Sequence, residues 1–197
     1  MTTAPPDTRP RPRLHTSTKW LLGVIVLGMT MTVSTRVLGG IDLLPADAVP
    51  TSLLLFGLVL GAVLVVGNII VTEAWTYMAE RTGDRQVLRF AARAVTWADV
   101  FFTAPGIFLA VISGLFLTEQ LGHHDAWVRG AETSFITAGV IWFVLLVPMQ
   151  NRLAVRAEQD ELDEGFTTIL HRWYGFGILA TAITLVAVGF AVFQPQF

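Results

Sequence analysis

Five apolar runs, at approximately residues 20–38, 52–71, 97–118, 133–148 and 173–193, alternate with polar stretches along the chain. Each run is close to the ~20 residues that a helix needs to cross a hydrocarbon core, and the fourth is the shortest. None alternates with a period of two. Backbone facing lipid must satisfy its own hydrogen bonds, so these runs predict helices and not barrel strands. The expected fold is all-α, a polytopic membrane bundle of five transmembrane helices. An N-terminal extra helix with its outer loop (20–50) precedes a four-helix core (51–197). Residues 1–19, rich in Pro, Thr and Arg, lack apolar periodicity and predict a disordered basic tail.

Composition agrees with a bilayer as solvent: 53% of residues are hydrophobic, 14% are charged, and the mean hydropathy is +0.62. A net charge of -2 gives no reason to expect a nucleic-acid partner. The chain has no cysteine, which excludes disulfides, iron–sulfur clusters, c-type haem attachment and thiolate metal sites within it.

Charge placement sets the expected orientation. Arg9, Arg11, Arg13 and Lys19 precede the first run, Arg81, Arg85, Arg89 and Arg93 follow the second, and Arg152, Arg156 and Arg172 follow the fourth. Eleven of thirteen cations thus share one side, leaving Arg36 and Arg129 for the other. By the positive-inside rule the N-terminus is cytoplasmic and the C-terminus outside. A cleaved signal peptide is the competing reading of the first run, but the candidate site Ala46-Asp47-Ala48 lies about ten residues beyond it, further than is usual.

The polar loops carry further signals. Gly83 reads as a helix stop and Asp84 as the N-cap of a short helix, on which Arg85, Arg89 and Arg93 recur every fourth residue. That helix suits the cytoplasmic lipid headgroups, with an ordinary solvated basic face as the alternative. The acidic stretch "AEQDELDEG" is expected to continue the fourth helix until Gly165 ends it. It reads as a solvated face, or as a partner for the preceding arginines. Gly57 and Gly61 form a small-xxx-small pair for close helix approach, within the chain or to a second copy. Pro105-Gly106 predicts a kink, and Gly114 another close crossing.

Candidate chemistry gathers at one depth. Asn68, Glu73, Asp99, Gln150, Asn151 and His171 all fall near the expected cytoplasmic helix ends, where ionisable groups in spans are functional candidates. Thr96 and Asp99 also fit a capping box, which predicts a helix start at Thr96 with Asp99 in its first turn, near Arg93, His171 or Arg172. His123, His124 and Asp125 form a weak outer metal candidate. Met29 and Met31 could pass a soft ion, although methionine usually fills apolar space. The histidines form no facing pair within the spans, so a haem axial role rests on His171 alone.

The stretches "GNIIVTEAW" (67–75), "AERTGDRQVLRFA" (79–91), "ADVFFTAPG" (98–106) and "IWFVLLVPMQNR" (141–152) resemble domain-of-unknown-function family 2269, DUF2269, of bacterial predicted integral membrane proteins. The resemblance covers about residues 53–193 and implies a compact four-helix membrane core with no established activity. A more distant similarity, in size and helix count only, is to copper-resistance proteins and small membrane protoporphyrinogen oxidases. This chain has Phe56 in "LLLFGLVLGA" where related sequences often carry a histidine.

Three function classes follow. The leading one is a non-enzymatic accessory or interaction subunit of the cytoplasmic membrane, in contact with lipid and with a membrane partner or a second copy. The others are a haem- or quinone-linked redox protein and a small-solute or metal-ion transporter. No cofactor is assigned.

Overall fold

The computed structural model describes residues 13–37, 49–122 and 125–195, with backbone only for 31–37. Among the described residues there are seven α-helices, two π-helical turns and no strand. Helix α1 (Thr16–Val37) begins inside the stretch expected to be a disordered tail. Helix α2 (Thr51–Arg81) starts after Pro50 and ends at Thr82, where Gly83 takes a left-handed φ of 67°. Asp84 then caps α3 (Arg85–Ala98), its carboxylate accepting from the Gln86 and Val87 N–H groups at 2.7 and 3.4 Å.

Helix α3 does not lie apart as a headgroup helix. It runs through a π-helical turn, Asp99–Thr103, into α4 (Ala104–Leu121) as one helix of 37 residues. The reason is its inner face of Ala91, Ala92, Val95 and Thr96, which is buried, with α3 packed against α2 and α6. The fourth helix repeats this design: α5 (Ala126–Ile141), a π-helical turn Trp142–Leu146, then α6 (Val147–Glu158). Its extension beyond the apolar run stops at Glu158, before the acidic stretch is complete. Asp160 turns the chain with φ 61°, and Asp163 caps α7 (Glu164–Phe193) through the Phe166 N–H at 2.9 Å. Gly165 therefore lies in the first turn of α7 and is not a helix stop.

Each π-helical turn ends two residues before a proline, Pro105 and Pro148. A proline inside a helix lacks its N–H and crowds the carbonyl four residues back, here Phe101 and Val144. The widened turn accommodates both effects without breaking the helix. The Ala104 N–H bonds the Asp99 carbonyl, and the Val147 N–H that of Trp142, each five residues back.

Four helices, 51–81, 85–121, 126–158 and 164–193, are long and apolar enough to cross a membrane. The main pairings are α2 with α4 and α5 with α7, while α1 lies over α3, the first π-helical turn and α4, burying Leu21 and Ile25. The α2–α4 seam is close because it is built from small residues. A Cβ on Gly61 would stand 2.6 Å from Ala110 N and 2.7 Å from the Gly106 carbonyl oxygen. The Gly57–Gly61 pair thus serves an approach within this chain. Gly114 makes no such crossing, since its nearest neighbour would be Leu58 Cδ1 at 3.8 Å. Outward faces carry exposed Phe56, Val59, Val63, Ile136, Ile178 and Val192, as lipid contact requires.

Candidate functional site

The middle of the bundle holds a carboxylate. Asp99, 3% exposed, is the first residue of the first π-helical turn. Its Oδ1 accepts hydrogen bonds from Asn68 Nδ2 at 3.0 Å and Thr103 Oγ1 at 2.7 Å. Its Oδ2 accepts from Gln150 Nε2 at 2.8 Å and Trp142 Nε1 at 3.3 Å. Asn68 Nδ2 also donates to Thr103 Oγ1 at 2.8 Å, which closes the inner ring. The donors come from α2, the first π-helical turn, the second π-helical turn and α6. The carboxylate therefore joins three of the four long helices.

This arrangement corrects the capping-box expectation. Thr96 is 0% exposed in the middle of a continuous helix, and its Oγ1 has no hydrogen-bond partner among the described residues. Asp99 contacts side-chain donors only, all neutral, so neither Arg93, His171 nor Arg172 is its partner. A buried charge in such surroundings is costly unless its lone pairs are filled, and here all four positions are.

Of the six residues expected at one depth, Asn68, Asp99 and Gln150 meet. The other three do not. Asn151 Oδ1 accepts the His15 backbone N–H at 2.9 Å, tying the start of α1 to α6. His15 itself is buried at this end, its ring between Ser17 Oγ at 2.6 Å and Glu158 Oε1 at 2.8 Å. His171, with a side chain 59% exposed, pairs with Glu80 at 2.7 Å and stacks on Tyr174, which turns it away from the core. Glu73 faces α7 at Gly177, and its buried Oε1 has no hydrogen-bond partner among the described residues. Thr103 and Trp142 complete the site and were not singled out from sequence. The signal was a shared spacing, Trp142 standing six residues before Pro148 as Asp99 stands six before Pro105 with Thr103 between them, which only pairing of the two helices makes meaningful.

Two of the three arginines on the α3 face have partners within the chain. Arg85 Nη2 donates to the Asp160 carbonyl at 3.0 Å and lies 3.5 Å from its carboxylate, and Arg89 makes a close ion pair with the same carboxylate. The docking alternative for the acidic stretch is the one observed. Arg93 is exposed. The Arg89 hydrogen bond, aided by the charges of Arg89 and Arg85, holds the Asp160 carboxyl below its ordinary value of 3.8, and the Phe166 N–H, helped by Arg156, does the same for Asp163. A carboxyl held low in the folded protein adds stability above its ordinary range and loses it as pH falls through the lowered value. Acidification below about pH 4 is therefore expected to release the α6–α7 turn from α3. Hydrogen exchange of amides 159–164 should accelerate in that range, and Asp160→Asn should remove the acid dependence. High salt should weaken the contact already at neutral pH, since both partners face solvent.

For metals, His123 and His124 lie outside the described residues, and Asp125 stands at the N-cap position of α5. Among the described residues no group of three or more His, Asp or Glu side chains could hold an ion. Met29 is exposed on α1, and the Met31 side chain lies outside the described residues.

Two cavities flank the Asp99 ring. One, toward the arginine-rich end, is lined by Thr76, Ala92, Val95, Gln150, Leu153 and Trp173. The other, toward the opposite end, is largely apolar and includes Ile69, Thr103, Ile107, Trp142 and Thr184. Each contains residues that hold the carboxylate.

The family model described as "Predicted integral membrane protein (DUF2269)" matches residues 52–195. The chain belongs to the DUF2269 family. It is thus a multi-pass integral membrane protein in contact with lipid, and the DUF2269 region takes in α2 to α7 while α1 stands before it. No curated protein and no solved structure matches the chain. Every residue of the Asp99 ring falls within the DUF2269 region.

Proposed function

We propose that the protein is a proton-coupled carrier of a small solute in the bacterial cytoplasmic membrane, with Asp99 as the group that takes up and releases the proton. One observation carries this reading: a fully hydrogen-bonded carboxylate stands inside the bundle with a small cavity on each side of it along the helices. Ionisable groups at such positions mark ion and proton pathways. In this reading α1 is a fifth span, and the arginine-rich end, with the N-terminus, is cytoplasmic.

The chemistry follows from the hydrogen-bond count. Ionised, Asp99 offers an acceptor to each of its four donors. Protonated, one oxygen becomes a donor and must turn away from at least one N–H or O–H. The group displaced belongs to a π-helical turn or to the helix beside it, and such turns are local irregularities that can rearrange at small cost. Protonation then biases the two proline-linked helices between two packings, which is what coupling requires.

Infrared titration of the purified chain tests this. A protonated-carboxyl C=O band that grows with acid and vanishes in Asp99→Asn is the expected result. A spectrum without any Asp99-dependent band across the accessible pH range would overturn it.

A non-enzymatic accessory subunit is the second reading, favoured by Val87 and Phe90, which stand exposed on α3 at 41% and 67%. A stoichiometric partner that co-purifies in mild detergent and is lost in Phe90→Ala would favour that reading.

A further inference from the structure

Three polar groups meet at the cavity on the arginine-rich side of Asp99. Gln150 and Trp173, both 4% exposed, line it, and Gln150 Oε1 and Trp173 Nε1 are buried with no hydrogen-bond partner among the described residues. Thr76, 1% exposed, is the third; its hydroxyl donates to the Thr72 carbonyl at 2.7 Å, which leaves its oxygen able to accept. One acceptor amide, one indole donor and one hydroxyl acceptor thus surround a space of about one water's size, and buried waters typically make three hydrogen bonds to such groups. Two orphaned polar atoms in one apolar wall would each be costly without a ligand.

We infer that this cavity is a water site, with the water accepting from Trp173 Nε1 and donating to Gln150 Oε1 and Thr76 Oγ1, and that it supplies Asp99 with its protons from the arginine-rich end. The inference rests on the proton-binding reading of Asp99. Position supports the direction. Ala92 and Val95 precede Asp99 by seven and four residues in the same helix, and Thr76 follows Asn68 by eight on α2. At 1.5 Å per residue the cavity is centred roughly 6–12 Å nearer the arginine-rich end than the carboxylate. Gln150 bridges the two places, its Nε2 on Asp99 and its Oε1 on the cavity. Water that visits this site brings protons within one side chain of the carboxylate, and small rotations of the Gln150 amide open the last step to the water itself.

The test uses the full chain in lipid nanodiscs and follows deuterium exchange of the protonated Asp99 C=O band after a jump into heavy water. Ala92→Val fills the cavity with apolar atoms and leaves all four donors of Asp99 in place. Exchange is expected to slow by about ten-fold, the factor that accompanies loss of one hydrogen-bonded link, with little change in the titration midpoint. Trp173→Phe keeps a ring and removes the N–H, and is expected to slow exchange in the same direction. It also guards against a folding defect in Ala92→Val. Unchanged exchange in both variants, with the Asp99 band still titrating, would overturn the water site and leave the proton-binding reading standing. A wild-type chain with no Asp99 band would overturn both.

Discussion

Asp99→Ala should lower the stability of the bundle by about 3–5 kcal/mol, the cost of leaving a buried polar set without its charged partner. Four donors, from Asn68, Thr103, Gln150 and Trp142, would lose their acceptor in one step. Each buried donor left unpaired costs about 1–3 kcal/mol, so even partial rescue by an entering water leaves a large effect. Asp99→Asn should cost less. Its carbonyl can stay on Gln150 and Trp142, while its amide turns to Thr103, whose hydroxyl is able to rotate and accept. Thermal unfolding in detergent, read by tryptophan fluorescence, should rank wild type above Asp99→Asn and Asp99→Asn above Asp99→Ala. Equal stability of all three would mean that the ring is not a structural unit. The same pair separates structure from chemistry, because Asp99→Asn keeps most of the fold and removes the proton site.

Gly61→Val is the second substitution expected to act strongly. Its Cβ alone would stand 2.6 Å from Ala110 N and 2.9 Å from Ala110 Cα, which are backbone atoms and cannot swing aside. Helices α2 and α4 would have to separate, and overpacking of this kind costs about 1–3 kcal/mol, occasionally more. The effect should reach the site, because Asn68 lies two turns further along α2 and holds Asp99 and Thr103. Gly67→Val is a suitable control, since a Cβ there meets nothing within 4 Å. If the two variants unfold at the same temperature, the α2–α4 seam is not the close contact described.

What could be read from the chain was what depends on the bilayer and on local chemistry. A hydrocarbon core imposes length and continuous apolarity, so four of the five runs were recognisable as spanning helices before any packing was known. The turn at Gly83 and the cap at Asp84 were legible for the same reason, since a left-handed φ and a short-range hydrogen bond are decided within four residues. Pro105 announced an irregularity in its helix. It did not announce its form, because kinks and π-helical turns both answer a missing N–H.

The failures have a common cause. Thr96 and Asp99 have the spacing of a capping box, yet a cap exists only where a helix begins, and the buried face of α3 keeps this one continuous. The same residue spacing therefore serves a different purpose once α2 and α6 are in place. Depth in the membrane grouped six polar residues, but depth does not say which way each faces around its helix. Rotation of α7 takes His171 to Glu80 at the surface, and rotation of α6 points Gln150 inward and Asn151 toward the start of α1. Sequence thus determined that this is an all-helical, multi-pass membrane protein of the DUF2269 kind, because hydropathy and length act residue by residue. Only the tertiary structure decided that Asp99 is the hub of its core, because four donors from distant parts of the chain become its partners through helix packing alone.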